Sequence, residues 1–208
     1  YEDVKLADLS VFGVKPGSFV FTCVANTRPM KGVKYIMHAL HLLPKDMDFY
    51  LLMVGNGLET DEYRRVADES GYGDRVIFTG FQPNALEIDK ASDVFLLASI
   101  YGESITKSAI EAMSLGTTPL ITDIPGNKYL IEHAHSGFMV PSKNPKALAG
   151  AMWAAYDKKD WTKKLGVLAQ RRIAEKLNTD KTIEEMAEFY TDLLETGGKN
   201  YHTKPGVL

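Results

Sequence analysis

Two acids and a glycine frame the segment GESITKSAIEAMSLG, residues 102–116: Glu103 near its start, Glu111 eight residues further on, and Gly116 at its end. The residue types between the acids suit a helix. A helix from about Ile105 to Leu115 puts Gly116 just past its last turn, where a left-handed residue ends helices. Glu103 then precedes the helix and Glu111 lies ~12 Å along the axis, at ~1.5 Å per residue. That separation is comparable with the length of a sugar–diphosphate–ribose chain. One carboxylate would accept hydrogen bonds from hexose hydroxyls and the other from ribose hydroxyls. The backbone N–H groups of Ser104, Ile105, Thr106 and Lys107 would face the phosphates between them. The rival reading is a capping box over Ser108-Ala-Ile-Glu111, which starts the helix later and makes Glu111 a structural brace. It leaves ITKS as an unneeded loop, so the first reading is preferred.

Other residues could contribute to such a site. NTRPMKG places Arg28 and Lys31 in a loop and first helical turn, where two cations beside helix N-termini suit a diphosphate. On position alone, a solvated pair of surface charges explains them equally well. In VGNGLET, Gly55 and Gly57 allow a tight turn, but Thr60 stands where a dinucleotide fingerprint has its third glycine, which disfavours NAD. Asp46-Met47-Asp48 spells D-x-D, the acid pair that holds a divalent ion in some transferases. It precedes a strand, on the wrong edge for this site, and reads as a polar loop. His38 and His41 have no partner cysteine or acid cluster to complete a zinc site. His133 and His135 are expected near a helix end. Met152, Trp153 and Tyr156 are expected to pack the C-terminal helices together.

Positioning these groups requires a frame, and hydrophobic periodicity supplies one. Strands are expected at 18–26, 49–55, 75–80, 93–99, 118–122 and 137–140, as near-continuous apolar runs. Helices are expected between them at 31–43, 58–70, 85–92, 105–115 and 128–135. Such alternation predicts a Rossmann-like α/β fold, a doubly wound parallel sheet of about six strands. Three successive helices follow at 144–159, 160–177 and 181–195. Residues 17–195 are expected to form one domain, with 1–16 as a linker and 196–208 as a flexible tail. In open parallel sheets, ligands bind beyond the carboxyl ends of the strands. The segments Asn26–Lys31, Gly55–Leu58, Gly80–Asn84, Ile100–Thr106 and Asp123–Asn127 all fall there.

Composition narrows the partners. A formal net charge of −3 on 208 residues gives no nucleic-acid footprint and no attraction to anionic membranes, so cations that bind anions must be local. The single cysteine, Cys23, lies in an apolar run and reads as a core residue; no disulfide within the chain is possible. No stretch is long and apolar enough to span a bilayer, and no signal peptide is read at the start. Tyr1 as first residue and Met30 as first methionine lead us to expect a piece of a longer polypeptide.

Taken in order and spacing, ANTRPMKG (25–32), LLMVGNGLE (51–59), RVIFTGF (75–81), ASDVFLLAS (91–99) and GESITKSAIEAMSLGTTPLITD (102–123) give the chain a family likeness. Over roughly residues 15–195 it resembles the C-terminal, donor-binding domain of a GT-B glycosyltransferase of the family-4, E-x7-E type. The resemblance implies that Arg28 and Lys31 neutralise the donor diphosphate, that Glu103 contacts the transferred sugar and that Glu111 holds the ribose. It further implies that Phe81, Gln82 and Asn84 line the nucleobase, and that the Ser104–Lys107 amides meet the phosphates. The implied activity is retaining transfer of a hexose from a UDP-, GDP- or ADP-sugar to a glycan or lipid-linked acceptor in cell-envelope synthesis. No metal or other cofactor is implied, because arginine, lysine and a helix end carry the leaving-group charge. The acceptor is expected in a missing N-terminal domain, braced by the helix 181–195. The location is expected to be cytoplasmic, peripheral at most to the membrane through that missing half. Two departures stand out: Ser104-Ile105-Thr106 replaces the family's Gly-Phe-Gly, and Tyr129 replaces a glutamate. The alternatives are a non-catalytic nucleotide-binding or scaffold domain, and another GT-B chemistry such as a sugar-nucleotide epimerase.

Overall fold

The computed structural model describes residues 3–102, 106–177 and 179–196. Six parallel strands form one sheet: β1 (Phe19–Val24), β2 (Phe49–Val54), β3 (Val76–Gly80), β4 (Val94–Leu97), β5 (Thr118–Thr122) and β6 (Phe138–Val140). Their order across the sheet is β3-β2-β1-β4-β5-β6. The chain winds outward from β1 to β3, returns to the other side of β1 at β4, and winds outward again. The topological switch point therefore lies between β1 and β4. Asp93, just before β4, pins this junction twice: its N–H donates to the Val20 carbonyl (2.9 Å) and its Oδ2 accepts the Val20 N–H (2.8 Å).

The connecting helices are α1 (Val33–Leu40), α2 (Asp61–Ser70), α3 (Ala85–Lys90), α4 (Lys107–Ser114) and α5 (Pro125–Leu130); α6 (Pro145–Asp157), α7 (Lys159–Lys176) and α8 (Thr179–Thr196) follow the last strand. Alternation along the strands sorts the core into two layers. Phe19, Phe21, Cys23, Phe49, Leu51 and Met53 pack with buried residues of α1 and α6. Val20, Tyr50, Leu52 and Val54 pack with Ile88 of α3. Aromatic edges strengthen the first layer: Phe21 meets Phe19 at 5.1 Å and Phe49 at 5.4 Å between ring centroids.

All six expected strands form, and so do the three successive helices. Three local expectations change. Helix α4 begins at Lys107 rather than about Ile105, because Thr106 is extended at its N-cap. Helix α5 occupies Pro125–Leu130, not 128–135, because Pro125 presets the first turn and Ile131 turns extended. A tight turn follows, with Ala134 at φ 61°, its N–H donating to the Gly137 carbonyl (2.8 Å). His133 and His135 therefore lie beyond the helix, and His133 Nδ1 accepts the Met139 N–H at 3.0 Å. Finally, the segment 1–16 contains a 3-10 helix at Leu9–Phe12, and Ala7, Leu9, Phe12 and Val14 pack with the second core layer.

Contacts divide the chain into two compact units, Tyr1–Ile173 and Ala174–Leu208. The first contains the sheet. The second contains α8, which carries Ile183, Met186, Tyr190 and Leu194 at helical spacing. Residues 197–208, most of the segment read as a tail, lie outside the described residues.

Candidate functional site

The loop after β1 is built to approach the end of β4. Asn26 Oδ1 accepts the Arg28 N–H at 3.1 Å and starts the turn; a 3-10 helix, Pro29–Lys31, then leads into α1. Gly32 sits at φ +65°, and a Cβ there would lie 1.9 Å from the Ala98 carbonyl oxygen. No other residue fits. Beside it, the Ile100 N–H donates to the Met30 carbonyl at 2.8 Å. The Arg28–Lys31 loop and the segment that leads to α4 are thus fastened together over the switch point.

Helix α4 rises from that point. Its N-cap, Thr106, is buried, and its first residue, Lys107, extends into solvent. Glu111, one turn further on, is largely covered, and its Oε1 lies 3.1 Å from Lys107 Nζ. The pair has the less favourable polarity for an i,i+4 contact and is worth only a few tenths of a kcal/mol. Glu111 is therefore weakly held against a competing ligand. With Thr106 as N-cap, Ser108 stands inside the first turn, and the capping box over Ser108–Glu111 does not form. Gly116 follows the helix at φ 81°, as its position predicts. Glu103, Ser104 and Ile105 lie outside the described residues.

Two more strand ends complete the edge. After β2, Gly55 adopts φ +143°, and a Cβ there would meet the Ala25 carbonyl oxygen at 1.8 Å; its N–H donates to the Gly80 carbonyl at 2.9 Å. The G-x-G pair serves this close approach between loops, with Gly57 against Thr27. After β3, Phe81 is 66% exposed, Gln82 Nε2 donates to the Thr79 carbonyl at 2.8 Å, and Asn84 precedes α3. Arg28, Val33, Leu58, Thr60, Tyr63 and Ile100 line a cavity of about 280 Å³ between the starts of α1 and α2. Arg28 thus borders a concavity, as a cation intended for a ligand would.

Sequence reasoning passed over two groups that matter here. Asp89, on α3, is buried, and its Oδ1 has no hydrogen-bond partner among the described residues. Burial first, and the Glu111 carboxylate second, hold its carboxyl well above the usual carboxylate range. Asn127, fully buried, reaches from α5 to Thr106. The only sequence signal for it was its place in the segment after β5. Cys23 behaves as expected: burial pushes its thiol up to about 12, with Asp89 adding and Lys31 opposing.

In the D-x-D pair, Asp48 at the amino end of β2 pairs with Arg75. Among the described residues no group of three or more His, Cys, Asp and Glu could hold a metal ion. No described helix is long and apolar enough to cross a membrane.

Comparison with known proteins agrees with this architecture. The chain is 25% identical over 183 residues to an N-acetyl-alpha-D-glucosaminyl L-malate synthase of Bacillus anthracis, covering 88% of this chain and 48% of that protein. It is 26% identical over 194 residues to an Escherichia coli UDP-Gal:alpha-D-GlcNAc-diphosphoundecaprenol alpha-1,3-galactosyltransferase, again covering 88% of this chain and 48% of that one. The chain therefore spans about half the length of these curated relatives. Among solved structures, Anabaena Alr3699/HepE in complex with UDP superposes with a TM-score of 0.80 at 22% identity, over 89% of this chain and 51% of that one. The C-terminal domain of a Francisella tularensis group 1 glycosyl transferase, LpcC, matches over 86% of this chain and 97% of its own, with a TM-score of 0.71 at 18% identity. The fold is that of GT-B glycosyltransferases, and since the family model for glycosyl transferases group 1 matches residues 7–172, the chain belongs to that family.

Proposed function

We propose that this chain is the donor-binding half of a retaining glycosyltransferase that takes a hexose from a nucleotide diphosphate sugar. The observation that carries the reading is the fastening of the Arg28–Lys31 loop to the β4–α4 connection at the switch point, through Met30–Ile100 and Gly32 against Ala98. It sets two cations and the start of an eight-residue helix on the same edge, the combination that a diphosphate needs.

In this reading Arg28 and Lys31 neutralise the diphosphate as the glycosidic bond breaks, and the α4 amides, Thr106 and Lys107 included, share its charge. Glu103 accepts hydrogen bonds from the sugar. Glu111 exchanges its weak contact with Lys107 for the ribose hydroxyls. Phe81 offers a ring face to the base, beside Gln82 and Asn84. Gly55 and Gly57 let the neighbouring loops meet beside the donor. The acceptor, a glycan or lipid-linked saccharide of the cell envelope, would bind an N-terminal half of the protein on the cytoplasmic side, at most peripherally at the membrane. The HepE complexes with UDP and UDP-glucose, and the galactosyltransferase relative named for a UDP-sugar, support a nucleotide-sugar ligand.

Titration calorimetry with UDP, GDP and ADP, with and without EDTA, tests the proposal. One of the three should bind, and EDTA should leave its affinity unchanged. Saturable binding of none would overturn the reading. The 208-residue chain by itself should give no robust sugar transfer; turnover without an acceptor half would contradict the division of labour.

A further inference from the structure

The start of α4 is held from below by a chain of buried polar contacts that no part of the reading above uses. Thr122 Oγ1, at the end of β5, donates to the Ser99 carbonyl at the end of β4, at 2.5 Å. The Asn127 side-chain amide then takes up the next link, its Nδ2 donating to the Thr122 carbonyl at 3.0 Å. Its Oδ1 accepts the hydroxyl hydrogen of Thr106, the N-cap of α4, at 3.4 Å. Thr106, Thr122 and Asn127 are all at least 95% buried. Usually a threonine N-cap turns its oxygen to the amides of its own helix. Here the Thr106 side chain makes no such cap bond.

Asn127 therefore ties α4 to the ends of β4 and β5 with both halves of one amide, the link to Thr106 being the longer of the two. Nothing about its own helix demands an amide there, since α5 is six residues long and Asn127 is its third. The neighbouring Ser99 hydroxyl is fully buried and has no hydrogen-bond partner among the described residues.

We propose that Asn127 is a positioning residue: it sets the first turn of α4, and through it how tightly the protein holds the diphosphate, as distinct from the nucleoside, of its ligand. The second part rests on the donor-binding reading; the first does not. Asn127→Leu keeps the number and branching of the heavy atoms, with bulkier methyl groups, and removes both bonds. Hydrogen exchange of the unliganded protein should then accelerate at least tenfold at the Ala109 and Ile110 amides, which bond to the Thr106 carbonyl at 3.1 and 3.2 Å. Exchange in β2 should not change. UDP, GDP and ADP, each measured beside its nucleoside, should show a diphosphate affinity at least tenfold weaker while nucleoside affinity moves less than twofold.

A purely structural residue would weaken both ligands in parallel, and that outcome overturns the proposal, as does unchanged exchange at Ala109 and Ile110. Exchange that responds as predicted in a protein whose wild type binds no nucleotide would sustain the positioning role and sink the donor reading instead. Thr106→Val cuts the same bond from its other end with no change of shape. If Asn127→Leu fails to fold, this variant must reproduce the exchange and affinity pattern for the proposal to stand.

Discussion

The two halves of the sheet are held together by different means. Around β1, β2 and β3 the layers are apolar and aromatic, with Phe19, Phe21, Phe49 and Tyr72 in edge or tilted contact. Around β4, β5 and β6 the polar groups go inside. Apart from Thr22 and Ser70, every buried polar or charged residue among the described ones lies between Asp89 and Thr162. One half supplies cohesion, which is non-directional. The other fixes orientation, because a buried hydrogen bond tolerates little displacement. The candidate site stands where the two meet.

The comparison can be broken first in the apolar half. Phe21→Ala should destabilise the chain by about 3–5 kcal/mol, read from urea unfolding, because the ring is fully buried among other rings. A loss below about 1 kcal/mol would mean that cohesion does not reside there. Gly32→Ala acts at the junction. Its positive φ alone costs on the order of 1–3 kcal/mol, and the clash with the Ala98 carbonyl must also be relieved by moving the loop. Reduced stability together with weakened nucleotide binding is expected; intact binding would detach the loop from the site.

How much of this was legible beforehand follows the same division. The apolar half announces itself, since SFVFTCVAN and FYLLMVG are near-continuous apolar runs and each forms a strand within the expected bounds. The start of α4 was misplaced by two residues, and α5 by more, because both are set by contacts far apart in sequence and by a proline whose effect on the first turn outweighs the apolar pattern. Arg28 and Lys31 were visible as cations, but not the Gly32–Ala98 contact that aims their loop. Asn127 could be read only as a polar residue in a strand-end segment. Asp89 drew no reading from the sequence, because six residues of helix carry too little periodicity to show which side is buried.

The polar half can be tested by titration. Burial and Glu111 raise the Asp89 carboxyl, so the folded chain keeps this proton to a higher pH than the unfolded chain. The stability it confers is fully present below the unfolded carboxylate range and is lost as pH rises through the folded value. The slope approaches about 1.4 kcal/mol per pH unit in that window. Asp89→Asn should remove this component, and the stability difference between variant and wild type should grow with pH. A difference that stays flat from pH 4 to 9 would show that Asp89 is not held protonated. The smallest effect is expected at Ser99→Ala, within about 0.5 kcal/mol of wild type or slightly stabilising, since its hydroxyl has no partner among the described residues to lose.

The most direct test compares calorimetric binding of UDP, GDP and ADP to the wild type and to Arg28→Ala/Lys31→Ala. Two charge-assisted hydrogen bonds at about 1.5 kcal/mol each or more would make the double variant bind at least ~100-fold more weakly. Nucleotide binding that ignores both substitutions would contradict the account.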